Sequence, residues 1–207
     1  MKKEKYEREP FGEGFFMSRN IIVIWDEITE EVARNVAMRI TYLDIVIREE
    51  SENGKPNQDI ILIICSPGGA VYMGFGIYDA INNAKCDVQT ICYGMAASMG
   101  AFLLSSGTRG KRYMLPNAKV MIHQPLGGAQ GQASDIEIRA REIVQLRSKL
   151  NYILARNTGR TVEEIEIATE RDNYLTAEEA LELGLIDEVL YSTPKAFMDI
   201  LPKEERI

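Results

Sequence analysis

Two stretches of this chain, Ile60 to Tyr78 and Val88 to Thr108, contain no Asp, Glu, Lys or Arg, and they limit its architecture more than any other feature. Each approaches the length of a membrane span. Pro67, Gly68 and Gly69 interrupt the first, while Gly94, Ser98, Gly100, Ser105 and Ser106 spread polarity and flexibility through the second. Both read instead as an apolar strand turning sharply into a helix: IILIICSPGG into AVYMGFGIYDAINNA, then VQTICYGMAA into SMGAFLLSSG. A strand that is apolar at successive positions has to be covered on both faces. The repeated unit therefore implies a parallel or mixed sheet packed with helices, an α/β architecture.

The rest of the chain extends this pattern. IIVIW, from Ile21, has the β-branched run of a buried strand, and Thr29 to Glu49 places Val32, Val36, Ile40 and Leu43 near helical spacing. The polar, turn-rich segment REESENGKPNQD, residues 48–59, reads as a surface loop. RYMLP and AKVMIHQP supply further strands, followed by a loop carrying Gly127, Gly128 and Gly131. From Ser134 to Asn157, Ile136, Ile143, Leu146, Leu150 and Ile153 or Leu154 mark an apolar stripe on a long amphipathic helix that stops near Gly159. Thr161 with Glu164, and Thr176 with Glu179, fit the S/T-x-x-E box that opens a helix. Residues 1–20 read as a flexible arm, 21–190 as a single domain and 191–207 as a polar tail.

Charge and cysteines narrow the function. With 31 acidic residues against 24 basic ones, a net of −7 and no basic stripe, a nucleic-acid partner is not expected. Lysines open the chain, but charge continues through Glu9 with no apolar run behind it, so an export signal is not indicated and a cytoplasmic location is expected. Cys65, Cys86 and Cys92 lack C-x-x-C spacing and read as reduced thiols in buried strands, with no disulfide framework and no metal site.

His123 is the only histidine, so any histidine-dependent chemistry must use it. A lone histidine is more often structural, but this one closes an apolar strand and precedes a Gly-rich loop, where site residues concentrate. Ser98 lies at a strand-to-helix turn among the small residues Ala96, Ala97 and Gly100. The turn works like a nucleophile elbow although G-x-S-x-G is absent, and the Met99 amide at the helix start suits an oxyanion. The bland alternative is that Ser98 only caps the helix. Ser66-Pro67-Gly68-Gly69 ends the preceding strand in the same manner, either as a tight turn or as backbone amides offered to a ligand. Among the carboxylates, Asp172 in ERDNYLT lies in a loop before the capped helix at Thr176 and reads equally as a turn or capping residue.

From Ile21 to Val189, most densely at CSPGG, GMAASMGAFLLSSGTRGKRYMLPNAKVMIHQPLGGAQGQASDIEI, RDN and AEEALELGLID, the sequence resembles the proteolytic-subunit family of the Clp protease, ClpP. The resemblance implies a crotonase-like spiral of strand-strand-helix units, with no metal and no bound cofactor. It implies Ser98 as nucleophile, His123 as general base, Asp172 as orienting acid, and the Gly69 and Met99 amides as oxyanion hole. Gly127, Gly128 and Gly131 would then expose backbone to an extended peptide, binding it by strand addition. The helix from Ser134 to Asn157 corresponds to the handle that interlocks two seven-membered rings into a barrel, and Glu170 and Arg171 to residues pairing across the ring interface. No G-x-x-x-x-G-K-[ST] motif occurs, so unfolded polypeptide would be supplied by a partner AAA+ unfoldase ring.

The sequence departs from the family pattern at Cys65, where asparagine is usual, at Glu170, where aspartate is usual, in an enlarged 49–59 loop, and in the arm before Ile21. Two competing functions follow. One is a non-catalytic or weakly active subunit of a mixed ring, completed by a paralogue. The other is an acyl-CoA hydratase of the same fold, which would stabilise an enolate with paired amides and use no serine nucleophile.

Overall fold

The structure, a computed structural model, describes residues 20–191. The expected arm up to residue 19 and the tail from residue 192 lie outside the described residues. Between them the chain runs β1 (Ile21–Ile24), α1 (Glu30–Glu52), β2 (Ile60–Ser66), α2 (Val71–Asn83), β3 (Val88–Ala97), α3 (Met99–Leu104), β4 (Arg112–Met114), β5 (Lys119–Ile122), α4 (Ala133–Thr158), α5 (Val162–Ala168), β6 (Asn173–Leu175), α6 (Ala177–Leu183) and β7 (Glu188–Val189). The strands form one seven-stranded sheet in the order β1-β2-β3-β4-β7, with β5 branching from the far end of β3 and β6 pairing with β5. Every pairing is parallel except β5 with β6. This is the mixed α/β arrangement expected of the resemblance.

The continuous apolar runs have the explanation the sequence offers. Successive side chains of a strand point to opposite faces. Ile60, Leu62 and Ile64 join the main core with Val36, Ile40, Ile77, Phe102 and Leu154 from the helices. Ile61 and Ile63 join a smaller cluster on the other face with Ile21, Ile91 and Leu190. Replacing a fully buried isoleucine such as Ile64 by alanine would cost about 2–5 kcal/mol.

Helix boundaries follow local chemistry. Thr29 caps α1, its hydroxyl accepting from the Val32 amide at 3.3 Å, with Glu30 and Glu31 in the first turn. The helix does not end where the polar segment 48–59 begins, as expected from the sequence. It continues through Glu52 because Arg48 Nε pairs with Asp44 Oδ2 one turn back at 3.3 Å, and the Asn53 side chain donates to the Glu49 carbonyl at 2.7 Å. The true turn comes at Gly54, where φ is +88°. Both capping boxes form, at Thr161/Glu164 and at Thr176/Glu179. Gly159 closes α4 in the left-handed conformation, φ +78°.

Helix α4 has two halves. Leu150, Ile153, Leu154 and Ala155 are buried, and Lys149 lies 4.6 Å from the centroid of the Phe75 ring on α2. Toward its start, Ile136, Ile138 and Val144 are exposed and Ile143 and Leu146 half-buried. The apolar stripe read from the sequence thus packs on the chain's own core at one end and stands clear of it at the other.

An internal ion pair ties the sheet edge to this core. Arg112 is buried and its guanidinium donates to Asp187 from Nε at 2.8 Å and Nη2 at 2.6 Å, while Nη1 donates to the Asn157 carbonyl at 2.8 Å. Burial works to raise the Asp187 pKa, but the Arg112 hydrogen bonds and charge and the backbone donors of Arg112 and Gly110 overcome it and hold the carboxyl below its ordinary value. Among the described residues no helix is long and apolar enough to cross a membrane.

Candidate active site

Sheet topology brings three distant side chains to one place. β5 lies parallel to the end of β3, with Ala97 opposite Met121, and β6 runs antiparallel to β5, with Ile122 opposite Asn173. One step beyond each register stand Ser98, His123 and Asp172. His123 Nε2 is 2.9 Å from Ser98 Oγ, and His123 Nδ1 is 2.9 Å from Asp172 Oδ1. An ionised carboxylate can only accept, so the proton of the neutral imidazole belongs on Nδ1 and Nε2 is left to accept from the serine hydroxyl. The histidine side chain is 11% exposed and the aspartate 60%. β6, a three-residue strand, is invisible in the sequence pattern, which treats Asp172 as part of a loop.

Ser98 is held in an unfavourable conformation. With φ +53° and ψ −120° it is the one non-glycine at positive φ among the described residues, a geometry that costs about 1–3 kcal/mol and survives only where the surroundings enforce it. Its amide donates to the Met121 carbonyl at 2.8 Å, and its carbonyl accepts from Phe102 at 3.1 Å. Although Ser98 occupies the position before α3, its side chain makes no capping bond; the hydroxyl is turned to His123 instead.

The CSPGG turn is built around that serine. A Cβ at Gly68 would lie 2.7 Å from Ser98 Cβ and 2.8 Å from the Ala97 carbonyl oxygen, so only glycine lets the two turns approach this closely. The Ile28 amide donates to the Gly68 carbonyl at 2.7 Å and the Ala70 amide to the Ile28 carbonyl at 3.1 Å. In a parallel ladder this pattern turns the Gly69 N–H away from Ile28. Met99, first residue of α3, has no acceptor within its own helix. Neither amide donates to a backbone carbonyl outside its own element among the described residues.

Two hollows flank the histidine. A cleft of about 590 Å³ is lined by His123, Gln124, Pro125, Leu126, Gly127, Ile143, Glu170, Arg171 and Asp172. Gly127 sits against Ile143, a Cβ there lying 2.5 Å from Ile143 Cδ1, whereas Gly128 is open and Gly131 (φ +139°) lies near the start of α4. Gly127 thus lines the cleft while Gly128 and Gly131 lie further along the loop. A second, narrow hollow of about 30 Å³ is bounded by Val71, Ser98, Met99, Phe102, Ile122, His123, Pro125, Leu150, Asn151 and Leu154. The sequence reading has no place for it; the available signal was Asn151, a polar residue inside the apolar stripe of α4.

The turn bearing Asp172 is anchored from two sides. The Gln124 amide donates to the Thr169 carbonyl at 2.6 Å and the Gln124 side chain to the Glu170 carbonyl at 2.7 Å. Glu170 Oε2 lies 3.2 Å from Arg147 Nη2 on α4. Within one chain, then, Glu170 pairs with the long helix, and Arg171 borders the cleft. A hydroxyl, an imidazole and a carboxylate in series form an arrangement able to draw the proton from the serine oxygen as it attacks. The family model described as Clp protease matches residues 10–193, a span that begins before Ile21 and ends beyond Val189.

Proposed function

The chain belongs to the Clp protease family, a peptidase family, and from that premise we propose that it is a serine endopeptidase in which Ser98, His123 and Asp172 act as a triad. The observation that carries this reading is the unbroken series of two 2.9 Å contacts from Ser98 Oγ through the imidazole to Asp172. Ser98 Oγ attacks the scissile carbonyl carbon as its proton passes to His123 Nε2, and the carbonyl electron pair moves onto oxygen. The Gly69 and Met99 amides receive that oxyanion, each contributing about 3 kcal/mol to lowering the barrier. Collapse expels the amine, which takes the proton from His123, and leaves an acyl ester on Ser98. A water deprotonated by His123 then attacks the ester, and the carboxylic product departs as the serine regains its proton. Asp172 holds the tautomer and stabilises the imidazolium. This chemistry requires no metal and no bound cofactor.

The substrate is an extended, unfolded polypeptide, bound by backbone along Gly127, Gly128 and Gly131. The exposed half of α4, carrying Ile136, Ile138 and Val144, supports assembly through this helix into two stacked seven-membered rings, alone or with a paralogue, with Glu170 and Arg171 at the contact. Unfolding falls to a partner AAA+ ring, and the free thiols of Cys65, Cys86 and Cys92 fit a cytoplasmic location. A fluorophosphonate probe tests the core of the proposal. It should label Ser98 in the wild-type chain, and Ser98→Ala should abolish both labelling and hydrolysis of short fluorogenic peptides while the assembly persists. Peptide turnover by Ser98→Ala near the wild-type rate would refute the assignment.

A further inference from the structure

Helices α2 and α4 are joined by three contacts of one kind, each an aromatic residue of α2 against a charged side chain of α4. The Tyr72 hydroxyl donates to Glu142 Oε1, Lys149 Nζ lies 4.6 Å from the Phe75 ring centroid, and Arg156 Nη2 donates to the Tyr78 hydroxyl. Residues three apart are neighbours on a helix surface, and a step of seven returns to the same face within about 20°. Tyr72, Phe75 and Tyr78 therefore meet Glu142, Lys149 and Arg156 in order, like rungs. The rungs have unequal support. Leu150, Ile153, Leu154 and Ala155 bury α4 around Lys149 and Arg156, so packing already holds that half. Glu142 lies in the half where Ile138 and Val144 are exposed, and among the described residues it is the first side chain along α4 to hydrogen-bond another element. Its neighbour Ile143 lines the cleft beside His123 and leaves no room for a side chain at Gly127. The hydrogen bond to Glu142 raises the Tyr72 pKa, so at neutral pH the phenol keeps the proton it donates.

Resting on the peptidase reading above, we infer that Tyr72 is a positioning residue for substrate binding: by holding Glu142 it fixes the Ile143 wall of the cleft against the Gly127 loop, so that an extended peptide meets a preformed surface. Tyr72 lines neither hollow beside His123 and acts through Ile143. Its hydroxyl is the part that matters. The ring meets Phe75 edge-on at 6.4 Å between centroids, a contact that phenylalanine at the same position would keep. Without the hydroxyl the wall has to be ordered by the incoming peptide, and that ordering is subtracted from binding. Ser98, His123 and Asp172 stand at the ends of β3, β5 and β6 and do not depend on this bond. The loss therefore falls on KM and spares kcat.

The test follows hydrolysis of a fluorogenic peptide long enough to lie along residues 127–131 by the full-length assembled chain, beside the rate at which a small fluorophosphonate labels Ser98. In Tyr72→Phe we expect KM to rise by about twofold to tenfold, the fold-change of one net hydrogen bond. The values of kcat and of the labelling rate should stay within about twofold of wild type, as for a residue that acts on binding alone. Glu142→Leu should reproduce the change, whereas Glu142→Gln, which keeps an accepting oxygen, should hold KM close to wild type. Tyr72→Phe combined with Glu142→Leu should be no worse than either alone, as for two halves of one contact. An unchanged KM in Tyr72→Phe overturns the inference, as do a fall in kcat with KM unaltered and effects of the two substitutions that add. A smaller particle by native mass also overturns it, because the bond would then serve a subunit contact. Labelling of the wild-type chain keeps the two readings apart: an unlabelled Ser98 overturns the peptidase assignment, whereas a labelled Ser98 with wild-type kinetics in Tyr72→Phe overturns the role of Tyr72 alone.

Discussion

Asp187 and Asp172 each face a cationic or cation-forming partner, and their surroundings could hardly differ more. Asp187 accepts from Arg112 Nε and Nη2, from the Arg112 amide at 3.1 Å and from the Gly110 amide at 2.7 Å, with its side chain only 19% exposed. Asp172 touches His123 at one oxygen and is otherwise 60% exposed. The first carboxylate has its hydrogen-bonding capacity taken up and serves the sheet edge. The second is held through its neighbours, by Gln124 on the Thr169 and Glu170 carbonyls and by Arg147 on the Glu170 side chain. A carboxylate that is fully committed fixes structure; one that spends a single contact on an imidazole remains able to follow the charge that develops there.

Substituting each aspartate by asparagine should separate the two roles. In Asp172→Asn we expect kcat for a short peptide to fall by about 10⁴, because the amide favours the wrong imidazole tautomer. Its unfolding free energy should stay within about 0.5 kcal/mol of wild type, as for an exposed substitution. A stable variant retaining a tenth or more of the activity would dissolve the contrast. Asp187→Asn should do the reverse, costing about 3–5 kcal/mol by leaving the Arg112 guanidinium buried without its counter-charge. The pH dependence sharpens this. A carboxyl whose pKa is depressed in the folded state contributes stability that is complete above its ordinary value of 3.8 and is lost as pH falls through the folded value. The stability gap between wild type and Asp187→Asn, measured by denaturant titration, should therefore be widest at neutral pH and narrow below pH 3.8. A gap that is constant with pH would show that packing, not charge, sets it.

The same contrast marks what could be read from the residues. Periodicity and turn chemistry carry the strands, the capping boxes and the long helix, because each is written in neighbouring residues: Thr161 with Glu164, Gly159 after its helix, alternate isoleucines in β2. The loop assigned to residues 48–59 fails at Arg48, whose partner Asp44 lies one turn back and makes polar residues helical. β6 is missed because Asn173–Leu175 becomes a strand only by pairing with β5, a partner some fifty residues away in the chain. For the same reason Asp172 is assigned by family resemblance rather than by local pattern. Local chemistry leaves it one among many carboxylates, and its distance to His123 exists only in the folded chain. Periodicity does not mark Asn151, since it counts apolar positions and does not ask what an intervening polar one meets.

The smallest effect concerns how Asp172 is positioned. Glu170 and Arg147 are half-exposed, 54% and 36% at their side chains, and such a pair contributes at most about 1 kcal/mol. Its removal should therefore leave folding nearly unchanged. Yet Glu170 stands two residues before Asp172 in a turn that also receives Gln124, so freeing its side chain lets that turn drift relative to His123. For Arg147→Met we expect kcat to fall by no more than about fivefold, with KM little altered, because Arg147 itself lines neither of the hollows beside His123. Arg147→Lys should recover part of the loss. Glu170→Asp shortens the side chain by one methylene and draws the carboxylate back from a partner already at 3.2 Å, so on this intrachain geometry it should resemble Arg147→Met. If instead Glu170→Asp raises peptidase activity, the side chain is working across a subunit contact, where the shorter carboxylate usual in the family fits better. Measuring both variants in assembled particles, with native mass to fix the assembly, decides between an anchor within one chain and a link between rings.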